Sequence, residues 1–430
     1  MKVAFNTLGC KVNSYETEAV MEMFEDTGHE IVNFNEFSDV YIINSCMVTN
    51  TGERKSKKII RRPIQINPEA IVIVMGCLTQ LKAKDVLDIE GVKVVLGTKN
   101  RDKIVNYLDE YLETKKKLNK VEKLENDENY DRLFINDFKN HQRAFLKIQD
   151  GCNNFCSYCI IPYTRGRIRS KPKDVVLNEA QKLVDSGHIE IVLTGIHTGG
   201  YGEDLEDYTF GDLLSDLEKI PGLKRIRISS IEITELTDKV IDIIKNSKKV
   251  VNHIHIPLQG GSDKILKLMN RKYTTTEFLN IINKLRANIQ ELAVTTDVIV
   301  GFPGETDSDF QSEFEFIKEV DFQELHVFPF SSREGTVAAK LKNHIDGVTK
   351  KARVHKLLDL SDDLKRNHIR KQINKIHYVI PEQYQDGILK GHTRDYILVC
   401  FKGDKSLIGD EIAVIIKSYD ESCCKGEIVE

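Results

Sequence analysis

No apolar run in this 430-residue chain approaches the roughly 18 residues that a membrane-spanning helix needs. The longest, Ala70 to Met75, has the length of a buried strand, so no membrane insertion is expected. Met1 and Lys2 lead directly into strand-like residues, without the charged, apolar and small-residue succession of a secretory signal, and a cytoplasmic protein is expected. An excess of positive charge is lacking too: 62 Lys and Arg against 66 Asp and Glu leave a formal net charge of −4. That opposes nucleic-acid binding by the chain as a whole, but screening acts over about 8 Å, so local patches decide. No repeat of fixed period is present beyond recurring strand-helix units. The length implies two or three domains rather than one core.

Nine cysteines, an odd number without an export signal, argue against a disulfide framework and for thiols kept reduced as metal ligands. Cys152, Cys156 and Cys159 sit in one run, GCNNFCSYC, whose spacing lets a single loop wrap three corners of a cubane iron-sulfur cluster. Zinc is the bland alternative, but it wants four ligands, and no fourth Cys or His stands at suitable spacing. Cys10, Cys46 and Cys77 lie far apart, each one or two residues beyond a strand candidate. Any one of them alone reads as a small buried apolar side chain; their shared position after successive strands favours a second ligand set. Three thiolates leave one iron of a cubane without a protein ligand, open to a small molecule or a sulfur species. Cys400, Cys423 and Cys424 follow no such pattern and read as incidental.

Residues 1–111 alternate apolar runs (VAFNTLG, DVYIINS, AIVIVMG) with amphipathic stretches, which predicts a parallel α/β domain with ligands beyond the carboxyl ends of its strands. Residues 112–141, rich in Lys, Glu, Asn and Asp, read as a charged linker with too few apolar groups for a core. Six further strands are predicted in residues 142–346: AFLKIQ, IEIVLTG, KRIRISS, NHIHIP, TTDVIVG and ELHVFPF. They suit a partial parallel (β/α)6 barrel with chemistry at its strand ends, where GCNNFCSYC falls. Residues 347–375 predict a basic connecting helix, and 376–430 a small antiparallel β-barrel of a kind that often binds nucleic acid.

The CxxxCxxC run, with Tyr158 before its last cysteine, resembles the signature of radical S-adenosylmethionine enzymes. The resemblance implies that the open iron chelates S-adenosylmethionine and that an electron from the cluster breaks a carbon–sulfur bond to give a 5′-deoxyadenosyl radical. Thr194 and Gly195, Ser229, Gln259 and Gly301 follow the second to fifth barrel strands, where that family places its S-adenosylmethionine contacts. Judged alone, Gly301 and Gly304 of GFPGET equally suit a simple turn.

TLGCKVNSYETE, CMVTNTGERKSKKIIRR, GCNNFCSYCIIPYTRGRIRS, GIHTGGYG, RIRISSIE, HIHIPLQGGSD, DVIVGFPGET and HVFPFSSREGT together resemble the methylthiotransferases over essentially the whole chain. The GCKVNSYETE start is similar to the subgroup acting on threonylcarbamoyladenosine of tRNA. The resemblance implies two 4Fe-4S clusters, an auxiliary one on Cys10, Cys46 and Cys77 and a radical-generating one on Cys152, Cys156 and Cys159. It also implies S-adenosylmethionine as methyl donor and radical source, a reducing partner such as a flavodoxin or ferredoxin, and C2 of the modified adenosine at position 37 of the anticodon stem-loop as target. Gly260 stands where the family has serine, and Met47 where it has threonine; both touch loops, not ligands.

For the RNA, Lys57, Lys58, Arg61 and Arg62 balance evenly between phosphate contacts and solvated surface. Arg165, Arg167 and Arg169, with Lys171, directly follow the cluster loop and are the stronger candidates. The tail resembles the TRAM module, in which Arg394 and Tyr396 are candidate contacts, and a Tyr or Phe is expected to stack on a base drawn out of its stack. His197, His253, His255 and His326 near strand ends read as satisfied core or supporting groups, since no metal-ligand spacing links them. No catalytic base is assigned. Two rivals stand beside this reading: the same chemistry on another tRNA nucleoside or a ribosomal protein, and a non-catalytic iron-sulfur RNA sensor, which GIHTGGYG and GFPGET disfavour.

Overall fold

Apolar strands separated by amphipathic helices fold as their pattern requires. A computed structural model describes residues 1–124, 130–138, 142–420 and 422–429. Strands β1 (Lys2–Thr7), β2 (Glu30–Val32), β3 (Val40–Ser45), β4 (Ile71–Gly76), β5 (Val92–Leu96) and β6 (Leu118–Lys120) form one parallel sheet in the order β2-β1-β3-β4-β5-β6. β3 is buried along its whole length, as a central strand covered by helices on both faces must be.

The charged stretch expected as a linker does more than connect. Leu118–Lys120 pairs with Val94–Leu96 as the sixth strand, and Leu133, Ile135 and Phe138 are buried in the main core. Within that stretch, 125–129 and 139–141 lie outside the described residues.

Next come β7 (Arg143–Lys147), a two-residue antiparallel ribbon of β8 (Gln149–Asp150) and β9 (Arg169–Ser170), then β10 (Glu190–Thr194), β11 (Arg225–Ile228), β12 (His253–His255), β13 (Ala293–Val300) and β14 (Glu324–Pro329). The parallel sheets β7-β10-β11 and β12-β13-β14 meet where Ile226 bridges Val250, giving the six-stranded partial barrel. Thr209, Thr274 and Thr306 start three of its helices with reciprocal capping bonds. One apolar core runs from Val3 and Tyr15 of the first domain through the barrel to Leu364.

The helix Gly347–Arg370 buries Leu357, Leu360 and Leu364 and leads into β15 (Ile376–Gln385), β16 (Ile388–Thr393), β17 (Leu398–Lys402), β18 (Ile412–Tyr419) and β19 (Cys424–Ile428). These close a barrel in the order β15-β16-β17-β19-β18, antiparallel except for the β17–β19 pair. That parallel pairing sets Val399 opposite Cys424, and the structure joins the adjacent Cys400 and Cys423 in a disulfide with Cα atoms 6.2 Å apart. The expectation that these two are incidental reduced thiols is therefore corrected. Among the described residues no helix is long and apolar enough to cross a membrane.

Candidate active site between two cysteine sets

Three glycines shape the ligand loops. Gly9, Gly76 and Gly151 immediately precede Cys10, Cys77 and Cys152 and have φ of 113°, 104° and 75°, a region that glycine alone enters cheaply. A Cβ would stand 3.1 Å from Cys46 Cβ at Gly9, 2.5 Å from Asn44 Oδ1 at Gly76, and 1.8 Å from the Arg167 carbonyl oxygen at Gly151. The recurring Gly-Cys pair was visible in the sequence as a signal of sharp turns off strand ends.

β1, β3 and β4 are neighbours, with Thr7 opposite Asn44 and Ser45 opposite Gly76, so the loops bearing Cys10, Cys46 and Cys77 emerge side by side. The Asn13 amide laces two of them together, donating to the carbonyls of Leu8 (2.6 Å) and Ser45 (3.4 Å). Burial raises the pKa of the Cys10 and Cys46 thiols; Cys77 adds to the rise of both, and the Arg165 charge works against it. Three converging thiols beside a guanidinium suit an anionic thiolate cluster.

In the second set, the Cys152 N–H donates to the Gly166 carbonyl (3.0 Å) and the Cys159 N–H to that of Cys156 (2.9 Å), winding the loop tightly. Donors aim at its sulfurs: Arg271 Nη1 lies 3.3 Å from Cys156 Sγ, and the Asn154 N–H 3.4 Å from Cys152 Sγ. Burial works against a charged His197, but the Cys152 sulfur and the Glu235 carboxylate hold its pKa up, at about 11. Burial pushes the free Cys159 thiol to about 12, so loading a cluster must release its proton. Donors directed at sulfur are what a cluster-bound thiolate needs, and the residues fit one.

A buried ionic network ties the two sets together. Arg165 donates to Asn13 Oδ1 (2.8 Å), to Glu16 (2.6 Å) and to Asp150 (3.1 Å), while Lys147 contacts Glu16 (2.8 Å) and Asp150 (2.6 Å). Arg101 adds an ion pair with Glu16 (2.5 Å) and hydrogen bonds to Asp131 (2.7 Å). Burial alone would raise the Glu16 and Asp150 carboxyls, yet the surrounding cations hold both well below the usual carboxylate range. Asn13 orders the first ligand loops and Asp150 lies two residues ahead of Cys152, so one network braces both.

This network corrects part of the expected RNA surface. Arg165 is fully buried among carboxylates, and Arg169 is buried with its guanidinium on the carbonyls of Arg165 (3.0 Å) and Arg167 (3.1 Å). Lys171 is buried against Glu179 and Tyr15. Arg167 is exposed, 4.4 Å from the Phe155 ring. Arg394 bonds Glu411 (3.3 Å) and the Lys248 carbonyl (2.8 Å), fastening the tail to the barrel.

A cavity of about 680 Å³ opens between the domains, within the range of ligand sites. Cys10, Lys11 and Val12 line it from the first domain, Thr194, Gly195, Arg227, Ser229, His253, His255, Asp297, His326 and Phe328 from the barrel strands, and Tyr396 from the tail. Tyr158, Gln259 and Gly301 do not line it. Tyr158 packs edge-on to Phe302 at 6.4 Å, and the Gln259 backbone pairs with Asp297 and Ile299. The Gly301 N–H donates to Glu305 (3.0 Å), and a Cβ there would meet Lys350 Cγ at 2.4 Å.

His253 and His255 share the Thr295 hydroxyl at 3.1 and 2.9 Å, and burial keeps His253 well below the ordinary histidine pKa. The Tyr396 ring is stacked with His253 (5.0 Å) and His392 (4.7 Å) and flanked by Arg143 and Arg227, which leaves little of its face for a base. Phe328, 46% exposed, is the aromatic ring the cavity leaves open. Beside Leu8 a second concavity, about 1080 Å³, is lined by Arg54, Lys55, Lys57, Lys58, Arg61, Arg62 and Lys82 with Glu53 as the one acid.

Residues 2–97 match the family model described as uncharacterized protein family UPF0004, and residues 146–317 that of the radical SAM superfamily. The chain is 48% identical to the threonylcarbamoyladenosine tRNA methylthiotransferase MtaB of Bacillus subtilis, over 99% of this chain and 96% of that protein. It is 35% identical to MtaB of Thermotoga maritima over 100% and 98%, and 36% identical to the tRNA-2-methylthio-N(6)-dimethylallyladenosine synthase of Alkaliphilus oremlandii over 100% and 93%. Among solved structures, the radical S-adenosylmethionine methyltransferase TsrM of Kitasatospora setae, with cobalamin and a 4Fe-4S cluster bound, aligns with a TM-score of 0.55 at 13% identity, over 76% of this chain and 74% of that one, a likeness of fold alone. With near-half identity sustained across almost every residue, the chain belongs to the threonylcarbamoyladenosine tRNA methylthiotransferases, within the radical S-adenosylmethionine enzymes.

Proposed function

We propose that this protein adds a methylthio group to C2 of N6-threonylcarbamoyladenosine at position 37 of tRNA, beside the anticodon. The observation that carries the reading is the cavity: Cys10 of one cysteine set and the strand-end residues following the other set line the same space. Cys10, Cys46 and Cys77 would hold one 4Fe-4S cluster and Cys152, Cys156 and Cys159 a second; when bound, these supply sulfur handling and the electron that cleaves S-adenosylmethionine.

The chain's own residues do the positioning. Thr194 and Ser229 offer hydroxyls to S-adenosylmethionine at the cavity wall. Arg271, and His197 with Glu235, hold positive charge against the second thiol set. Phe328 offers a stacking face to an adenine drawn out of the anticodon loop. The basic groove along the helix Asn50–Ile60, with exposed Arg167 and the TRAM-like tail, would carry the phosphates of the stem-loop. A low-potential donor such as a flavodoxin or ferredoxin would deliver the electron in the cytoplasm.

Mass spectrometry of tRNA nucleosides from cells lacking this chain tests the reading. The methylthio form of threonylcarbamoyladenosine should vanish while the unmethylthiolated precursor accumulates; an unchanged nucleoside profile refutes it.

A further inference from the structure

Most of the cavity's basic side chains have hydrogen-bond or ion-pair partners, and His326 rests its ring beside that of His255 at 5.5 Å. Arg227 donates to Glu190 (2.7 Å) and to the Thr393 and Arg394 carbonyls, and lies over the Tyr396 ring. His255 bonds Thr295 and faces Asp297 at 3.4 Å. His253 bonds the same threonine and stacks on Tyr396. Lys11 differs. It is exposed to the cavity, and among the described residues no carboxylate lies within ion-pair distance of its ammonium group. The cavity's acids are engaged elsewhere: Glu324 pairs with Lys365 at 2.9 Å, and Asp297 faces His255. A cation left open on the wall of a ligand-sized cavity is arranged for an anionic group of the occupant.

We propose that Lys11 is a specificity-determining residue that binds the free carboxylate of the substrate's threonylcarbamoyl group. The inference rests on the proposed substrate, whose threonine moiety keeps an ionised carboxylate only in its open form; cyclisation consumes it. Lys11 directly follows Cys10, so a carboxylate anchored there holds the adenine next to the first cysteine set. Phe328, across the same cavity, supplies the apolar face for the ring. The open form is therefore the substrate, and a cyclised side group is a poor one.

The test uses the anaerobically prepared holoprotein and two synthetic anticodon stem-loops, one carrying the threonylcarbamoyl acid and one its neutral primary amide. Dissociation constants are measured by fluorescence anisotropy, and methylthiolation is followed in parallel. The wild type should bind the acid about tenfold or more tightly than the amide, the yield of a charge-assisted contact. Lys11→Met should abolish that preference by weakening the acid alone, and Lys11→Arg should keep most of it, with iron per chain unchanged in both. Equal wild-type affinity for acid and amide overturns the proposal, as does a Lys11→Met variant that weakens both RNAs alike or only raises the KM for S-adenosylmethionine. Failure of the wild type to methylthiolate either RNA would instead count against the proposed function itself.

Discussion

Replacing Arg165 by Met removes one of three cations that face three carboxylates inside the protein. Arg165 is fully buried and bonds Asn13, Glu16 and Asp150, so the variant leaves one uncompensated negative charge in a dry site. Breaking such a network by deleting one partner costs about 3–5 kcal/mol. Lys147 and Arg101 continue to contact Glu16, which points to the lower end, about 3 kcal/mol. The consequence reaches both thiol sets, because Asn13 braces the loops before Cys10 and Cys46 while Asp150 stands at the entry to Cys152. Urea unfolding of the anaerobically reconstituted protein should therefore show a lower midpoint, and iron per chain should fall below the roughly eight expected of two cubanes. Pairing the substitution with Glu16→Gln removes the excess charge and should restore part of the loss. An Arg165→Met variant with wild-type midpoint and full iron would refute the idea that this network fixes the ligand loops.

Glu190 gives a pH prediction. Burial opposes its ionisation, but Arg227 and Arg225 lower its carboxyl from 4.5 to about 2, a shift worth about 3 kcal/mol. A depressed carboxyl stabilises the fold above its unfolded pKa, so this contribution is full above about pH 4.5 and lost as pH falls toward 2. Because the same two arginines bond carbonyls of Tyr378, His392, Thr393 and Arg394, Glu190→Gln should loosen the tail first. Hydrogen exchange at neutral pH should rise in β15 and β16 before the partial barrel, and equal protection in variant and wild type would contradict it. For the basic groove, Lys58→Gln, Arg61→Gln and Arg62→Gln together should weaken tRNA binding and flatten its log–log salt dependence by about 2, close to 0.7 per lost phosphate contact. An unaltered slope would return these residues to ordinary solvated surface.

Much of the architecture was legible because apolar periodicity reports what faces the core. All six barrel strands and β1, β3 and β4 stand where their apolar runs predict them. What the pattern could not show is equally specific. β2 is three residues at a sheet edge, and β6 is the polar tripeptide Leu118–Lys120, held by backbone pairing to β5 rather than by burial. β16 is not among the tail's apolar runs; it carries Gly391, where a Cβ would meet the Ile380 carbonyl at 2.0 Å, so that glycine marks a close approach of the two strands. Arg165 and Arg169 are expected at the RNA surface because they directly follow the cluster loop, yet both are buried, and Arg165 is held by Glu16 from the far end of the first domain, a partner that no local pattern shows. Tyr396 and Arg394 are candidate RNA contacts from the tail's resemblance alone; in the structure they touch the barrel at His253 and Lys248, a relation that no local pattern encodes.

The cavity draws its walls from three domains, which raises the question of what holds those walls in register. Apolar burial is large but non-directional, so the shared core that runs from Val3 to Leu364 can bind the first domain to the barrel without fixing its rotation. Hydrogen-bonded ion pairs are directional, and forked guanidinium contacts fix geometry as well as distance. They occur at the two joints that matter: Arg165 and Lys147 reach Glu16 of the first domain from the segment around the cluster loop, and Arg225 and Arg227 join the barrel to the tail. Each joint is anchored by a single buried glutamate, Glu16 and Glu190, that accepts from more than one cation. Burying those charges is a poor way to gain stability, since well-packed apolar groups would serve as well or better. Their placement makes sense instead as alignment, setting Cys10 and Lys11 on one side of the cavity and Tyr396 on another against strand ends that the partial barrel alone would leave open.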